Sequence, residues 1–125
     1  VTVAEVIADC RASLGPLDQV VVANVPVLPF GRPDGLDFGR GCTPGHLGYF
    51  YGVPREPDPR GATVLPDVEP VEGEIRIFLQ NIRPLTAERV RTVVLHELHH
   101  ALGYTEEEIR AMGYDLEEGA ACSTW

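Results

Sequence analysis

The sequence predicts one α+β domain, and three observations carry that expectation. Apolar residues at Val3, Val6, Ile7, Cys10 and Leu14 have the spacing of an amphipathic helix. Two later stretches read as strands, Gln19 to Val25 because it is rich in β-branched residues and Glu74 to Gln80 because it alternates and then runs apolar. The longest helical pattern, from Thr86 to Leu102, repeats its apolar residues at Val90, Val93, Val94, Leu98, Ala101 and Leu102. With 125 residues the chain can enclose one core, not two, so residues 1–125 are read as a single domain. A small mixed sheet of about three or four strands is expected between an N-terminal helix and the long helix.

In chain order, Gly15-Pro16 stops the first helix, and Gln19 to Val25, bounded by Pro26, reads as a buried strand. From Pro26 to Pro66 the composition turns rich in proline and glycine. That predicts a long connecting region with one short strand at Tyr49-Phe50-Tyr51 and a rim folded over a site. Glu74 to Gln80 alternates and then runs apolar, as a strand with one covered face does. Asn81 to Leu85 makes a turn. Thr86 is placed to cap the long helix, Glu88 complements its dipole, and Gly103 stands where a left-handed residue ends it. Thr105 with Glu108 forms a capping box for a short closing helix from Glu106 to Met112, ended by Gly113. The tail from Asp115 to Trp125 is acidic, then small, and folds back or stays open.

Charge and cysteine content narrow the function classes. The net charge is −9, with ten arginines and no lysine, which disfavours binding nucleic acid or anionic membrane through a basic patch. No stretch of eighteen apolar residues is present and no basic-then-apolar leader is visible. Cys10, Cys42 and Cys122 are scattered and odd in number, which fits a reducing, cytoplasmic setting rather than a disulfide framework. Cys42 and His46 lack companion ligands and read as a loop thiol and a loop histidine. Oligomeric state is not encoded in any of these features.

The chemistry concentrates at the end of the long helix, in His96-Glu97-Leu98-His99-His100. Positions four apart share a helix face, so the imidazoles of His96 and His100 can reach one ion. Zinc suits two neutral imidazoles, and Glu97 then lies beside the open position as a general base for water. A third ligand is required. Glu106, ten residues after His96, is the leading candidate, with Asp115, Glu117 and Glu118 as alternatives. An oxyanion donor or cleft wall is sought among His99, Tyr104, Tyr114, Tyr49 and Tyr51.

The run Val93 to Gly103 with Glu106 and then Met112-Gly113-Tyr114 resembles the small bacterial minimal zincin-like metallopeptidase family. Leu47 to Pro54 and Glu74 to Leu79 are similar to that family's tyrosine-glycine loop and the strand before its helix. The resemblance implies a compact zincin fold that hydrolyses peptide bonds. One zinc per chain would be held by His96, His100 and an acidic residue, with Glu97 catalytic and a peptide or protein as substrate. It further implies an edge strand above the metal, for which Glu74 to Gln80 is the candidate. Glu106 stands where the family usually has aspartate, which changes the reach of the ligand but not its type. Two other classes compete. One is a non-catalytic metal-binding module. The other is a hydrolase similar to the bacterial rRNA-maturation endoribonucleases, disfavoured by Glu97, by Glu106 in place of a third histidine, and by the acidic charge.

Overall fold

The computed structural model describes residues 2–55 and 70–116, and in them the protein is α+β with a small mixed sheet. The first helix, α1 (Val3–Ser13), starts at a capping box in which Thr2 and Glu5 satisfy each other's backbone N–H groups. Val6 and Cys10 are its buried residues.

The expected strand over Gln19 to Val25 is not formed. Gly15-Pro16 ends α1 but also begins α2 (Pro16–Val21), because proline at the first helical position is already set at a helical φ. Val21, Val22 and Val25 are all buried, a spacing of one helical face rather than an alternation. Arg11 fixes the turn that follows by donating to the Val22 and Val25 carbonyls. The first strand comes later, as β1 (Val27–Phe30), inside the stretch expected to be connecting loop. Pro29 is tolerated there because β1 lies at a sheet edge.

The same connecting stretch also holds α3 (Gly35–Gly39), capped by Asp34, and β2 (Gly48–Gly52), which contains the expected strand at Tyr49 to Tyr51. The remaining strand is β3 (Gly73–Phe78). The order is β1-β3-β2, with β1 parallel and β2 antiparallel to β3. Glu74 to Gln80 is therefore not the edge strand. Its core forms the central strand, because partners come to it from both sides, Val27 opposite Ile75 and Phe50 likewise. Of the expected connecting region from Pro26 to Pro66, the part beyond Arg55 lies outside the described residues, as does the expected tail beyond Leu116.

Two helices complete the fold. α4 (Ala87–Ala101), capped by Thr86 as expected, packs on one face of β2 and β3 and against α1. Gly48 has no side chain to hold it away, so Val93 of α4 sits directly on β2. α4 ends at Gly103, whose φ of 98° needs glycine, and a Cβ there would run into the Arg55 carbonyl oxygen. Arg55 N–H in turn donates to the Ala101 carbonyl, tying the chain after β2 to the end of the helix. α5 (Glu106–Ala111) follows its Thr105 capping box and buries Ile109. Among the described residues no helix is long and apolar enough to cross a membrane.

Candidate metal centre

Helical spacing brings the motif together as its residue types require. His96, Glu97 and His100 are all buried on α4, and their donor atoms lie within 4.8 Å of one another. Glu106, at the start of α5, points back at the two imidazoles. Its Oε1 lies 3.1 Å from His96 Nε2 and 2.7 Å from His100 Nε2, and those two nitrogens are 3.2 Å apart. The ligands of a tetrahedral zinc, at about 2.0–2.1 Å from the ion, stand about 3.3 Å from each other. The observed triangle is close to that size. Glu97 is also near both imidazoles, but among the described residues only Glu106 has an oxygen at hydrogen-bond distance from each of them.

The protonation states point the same way. His96 Nδ1 is 2.7 Å from the Tyr114 carbonyl oxygen, which can only accept, so Nδ1 carries a hydrogen. Its other ring nitrogen, Nε2, is then directed at Glu106 and His100. Burial lowers the His100 pKa against the opposing pull of Glu106, so this imidazole is neutral near pH 7, the form a metal requires. Burial pushes the Glu106 carboxyl up, but its bond from His100 and its electrostatic pairing with both imidazoles outweigh this, so its pKa is lowered. Three ligand-type atoms thus face one point within 3.2 Å, held there by a proton on His100 Nε2 that a metal ion would displace. The donor set fits a divalent metal of borderline softness.

Glu97 is held differently. The Phe50 backbone N–H of β2 donates to its carboxyl, while its Oε2 is buried with no hydrogen-bond partner. Phe50 can do this because its pair with Ile75 alternates with the hydrogen-bonded pairs Tyr49–Arg76 and Leu47–Phe78, so its N–H faces away from β3. Burial drives the Glu97 pKa well above the usual carboxylate range, the Glu106 charge adds to this, and the Phe50 N–H opposes it. A buried carboxylate oxygen without a partner is costly in a scaffold and useful in a base.

The other candidates separate into near and remote. His99 points elsewhere: its Nδ1–H donates to the Leu95 carbonyl at 2.7 Å, and its ring lies between Tyr104 and Tyr114, at 5.5 and 5.2 Å. The rings of Tyr104 and Tyr114 thus pack around His99. Tyr49 and Tyr51 sit on the opposite face of the sheet. The Tyr49 hydroxyl donates to Asp37 at 2.5 Å, and Tyr51 is covered by the Arg40 guanidinium at 3.8 Å. Neither can serve the metal centre. Asp115 is exposed and bonds neither imidazole, while Glu117 and Glu118 lie outside the described residues. His46 is engaged locally, its Nδ1 accepting from the Thr43 N–H, and Cys42 is buried beside Tyr49 and Phe78. The two groups that sequence reasoning missed, the Phe50 N–H and the Tyr114 carbonyl, belong to the backbone and have no residue-type signature.

No protein-family model and no curated protein matches the chain. Function is accordingly read from the site.

Proposed function

We propose that the protein is a zinc-dependent metallopeptidase of the minimal zincin type, with His96, His100 and Glu106 as ligands and Glu97 as general base. One observation carries the reading: three donor atoms converge beside a buried, unpartnered carboxylate oxygen, Glu97 Oε2. Zinc bound there would supply a Lewis acid that polarises a carbonyl oxygen and acidifies water. Glu97 takes the proton at Oε2 as the water oxygen attacks the peptide carbon, and delivers it to the departing amine nitrogen. The Phe50 N–H keeps that carboxyl from turning away. The tyrosines beside His99, Tyr104 and Tyr114, are the candidate donors to the oxyanion. β2, an edge strand that already touches Glu97 through Phe50, is the strand along which an extended peptide would pair. The net charge of −9 speaks against a nucleic-acid substrate.

The test compares zinc-loaded wild type and Glu97→Gln on a peptide library, with zinc content measured in both. The wild type should cleave, and the variant should keep zinc while losing about 10²–10⁴-fold in rate. Full activity in Glu97→Gln would show that the base is misassigned. A zinc-loaded wild type that cleaves nothing would leave the non-catalytic metal-binding module as the reading.

A further inference from the structure

We propose that the main-chain carbonyl of Tyr114, presented by the turn at Gly113, is the positioning group that aims His96 at the metal. The inference rests on the metal-centre reading above and assigns a role to a turn outside the ligand motif. His96 is fully buried, and its Nδ1–H has one acceptor, the Tyr114 carbonyl oxygen at 2.7 Å. That bond selects the tautomer with its lone pair on Nε2 and sets the tilt of the ring. His100 is held less firmly: its Nδ1 makes no well-formed hydrogen bond, and the Tyr104 main chain is the group that lies near it. Of the two imidazoles, His96 is the more firmly aimed.

The turn that delivers the carbonyl is built for it. Ile109, fully buried, anchors α5, and the Tyr114 N–H returns to the Ile109 carbonyl at 3.2 Å. Between them Gly113 has a φ of 90°, which L side chains rarely adopt, although a Cβ there would meet nothing within 4 Å. Glycine is thus required by the backbone angle and not by space. Glu106 opens α5 and the Tyr114 carbonyl follows the turn after it, so the helix and its closing turn together bring both groups to His96. The Tyr114 ring does a separate job against His99, at 5.2 Å, so ring and carbonyl can be tested apart.

The experiment reads the His96 tautomer by nitrogen-15 NMR in metal-free protein at mildly alkaline pH, and then zinc affinity by competition with a chelator. Wild type should show the Nδ1–H tautomer. Gly113→Ala should lose that preference and bind zinc about 10–100-fold more weakly. Gly113→Asn, which tolerates the left-handed angle, should recover both, and Tyr114→Ala should change neither. An Nε2–H tautomer in the wild type overturns the proposal whether or not any variant folds. So does Gly113→Ala matching wild type in both readouts, or Tyr114→Ala weakening zinc as much as Gly113→Ala. A wild type that binds no zinc but holds the Nδ1–H tautomer, lost in Gly113→Ala, supports the aiming role and removes the metal-centre reading instead.

Discussion

Two polar clusters lie on opposite faces of the same three-stranded sheet, and they are finished differently. On the face away from α4, buried Asp37 accepts from the Tyr49 hydroxyl at 2.5 Å and meets Arg76 at 3.4 Å. Arg76 also holds Glu74 at 2.7 Å, and Arg40 bridges Tyr49 and Glu74 at 3.2 and 3.6 Å. Opposite charges alternate through this network, as a scaffold requires. On the α4 face, Glu97 Oε2 and His100 Nδ1 are the buried side-chain atoms left without a partner among the described residues. Both clusters contain carboxylates beside nitrogen donors, so composition does not distinguish them. Satisfaction does: the closed cluster holds strands together, and the open one is arranged for something to be added.

The largest effect expected on stability comes from the closed cluster. Asp37→Ala removes the acceptor of the Tyr49 hydroxyl, one of the two carboxylate partners of Arg76 and the reciprocal cap of α3, and should cost about 2–4 kcal/mol in denaturant unfolding. Zinc affinity of the folded fraction should not change, since none of these groups touches His96, His100 or Glu106. A parallel loss of zinc binding would break the comparison, because the two faces would then act as one unit. Tyr49→Phe, which leaves one Asp37 bond unmade, should cost about 1–2 kcal/mol and be similarly silent at the metal centre.

The two faces should also respond to pH with opposite sign. Burial pushes the Asp37 carboxyl up, but the bonds from Tyr49 and Asp34 and the Arg76 charge win, so its folded pKa is depressed. Its contribution is present at neutral pH and lost as pH falls through that depressed value. Glu97 is the reverse. Its folded pKa is raised, so the metal-free fold binds a proton the unfolded chain releases, and stability declines as pH rises above about 4.5 towards the raised value. Glu97→Gln should remove that decline and leave the metal-free protein more stable at neutral pH by on the order of 1 kcal/mol. Melting curves of metal-free wild type and variant across pH check this. Equal slopes in the two proteins would mean that Glu97 does not take up a proton on folding.

What the sequence revealed follows from how local each signal is. α4, its Thr86 cap, the Gly103 stop and the His96, Glu97, His100 face all depend on spacing within a few residues, and all were legible. Glu106 was legible too, because the turn at Gly103 returns the chain within ten residues of His96. The run Gln19 to Val25 misled because valine suits strands, yet Pro16 starts a helix and the core buries one helical face of that run. The central place of β3 is a long-range pairing, set by β1 from far earlier in the chain. Asp37 pairs with Tyr49 twelve residues away and with Arg76 thirty-nine away, so no local pattern announces the closed cluster. The Phe50 N–H and Tyr114 carbonyl are main-chain groups, which every residue possesses.

The most direct test of the open cluster is the metal content of protein purified without a metal-affinity tag, with His100→Ala and Glu106→Ala alongside. The account predicts one zinc per chain in the wild type, binding lost by at least about a thousandfold in His100→Ala, and clear weakening in Glu106→Ala. Wild-type protein that stays metal-free after zinc is restored at neutral pH would contradict it. The convergent imidazoles and carboxylates would then be a buried polar cluster and not a catalytic centre.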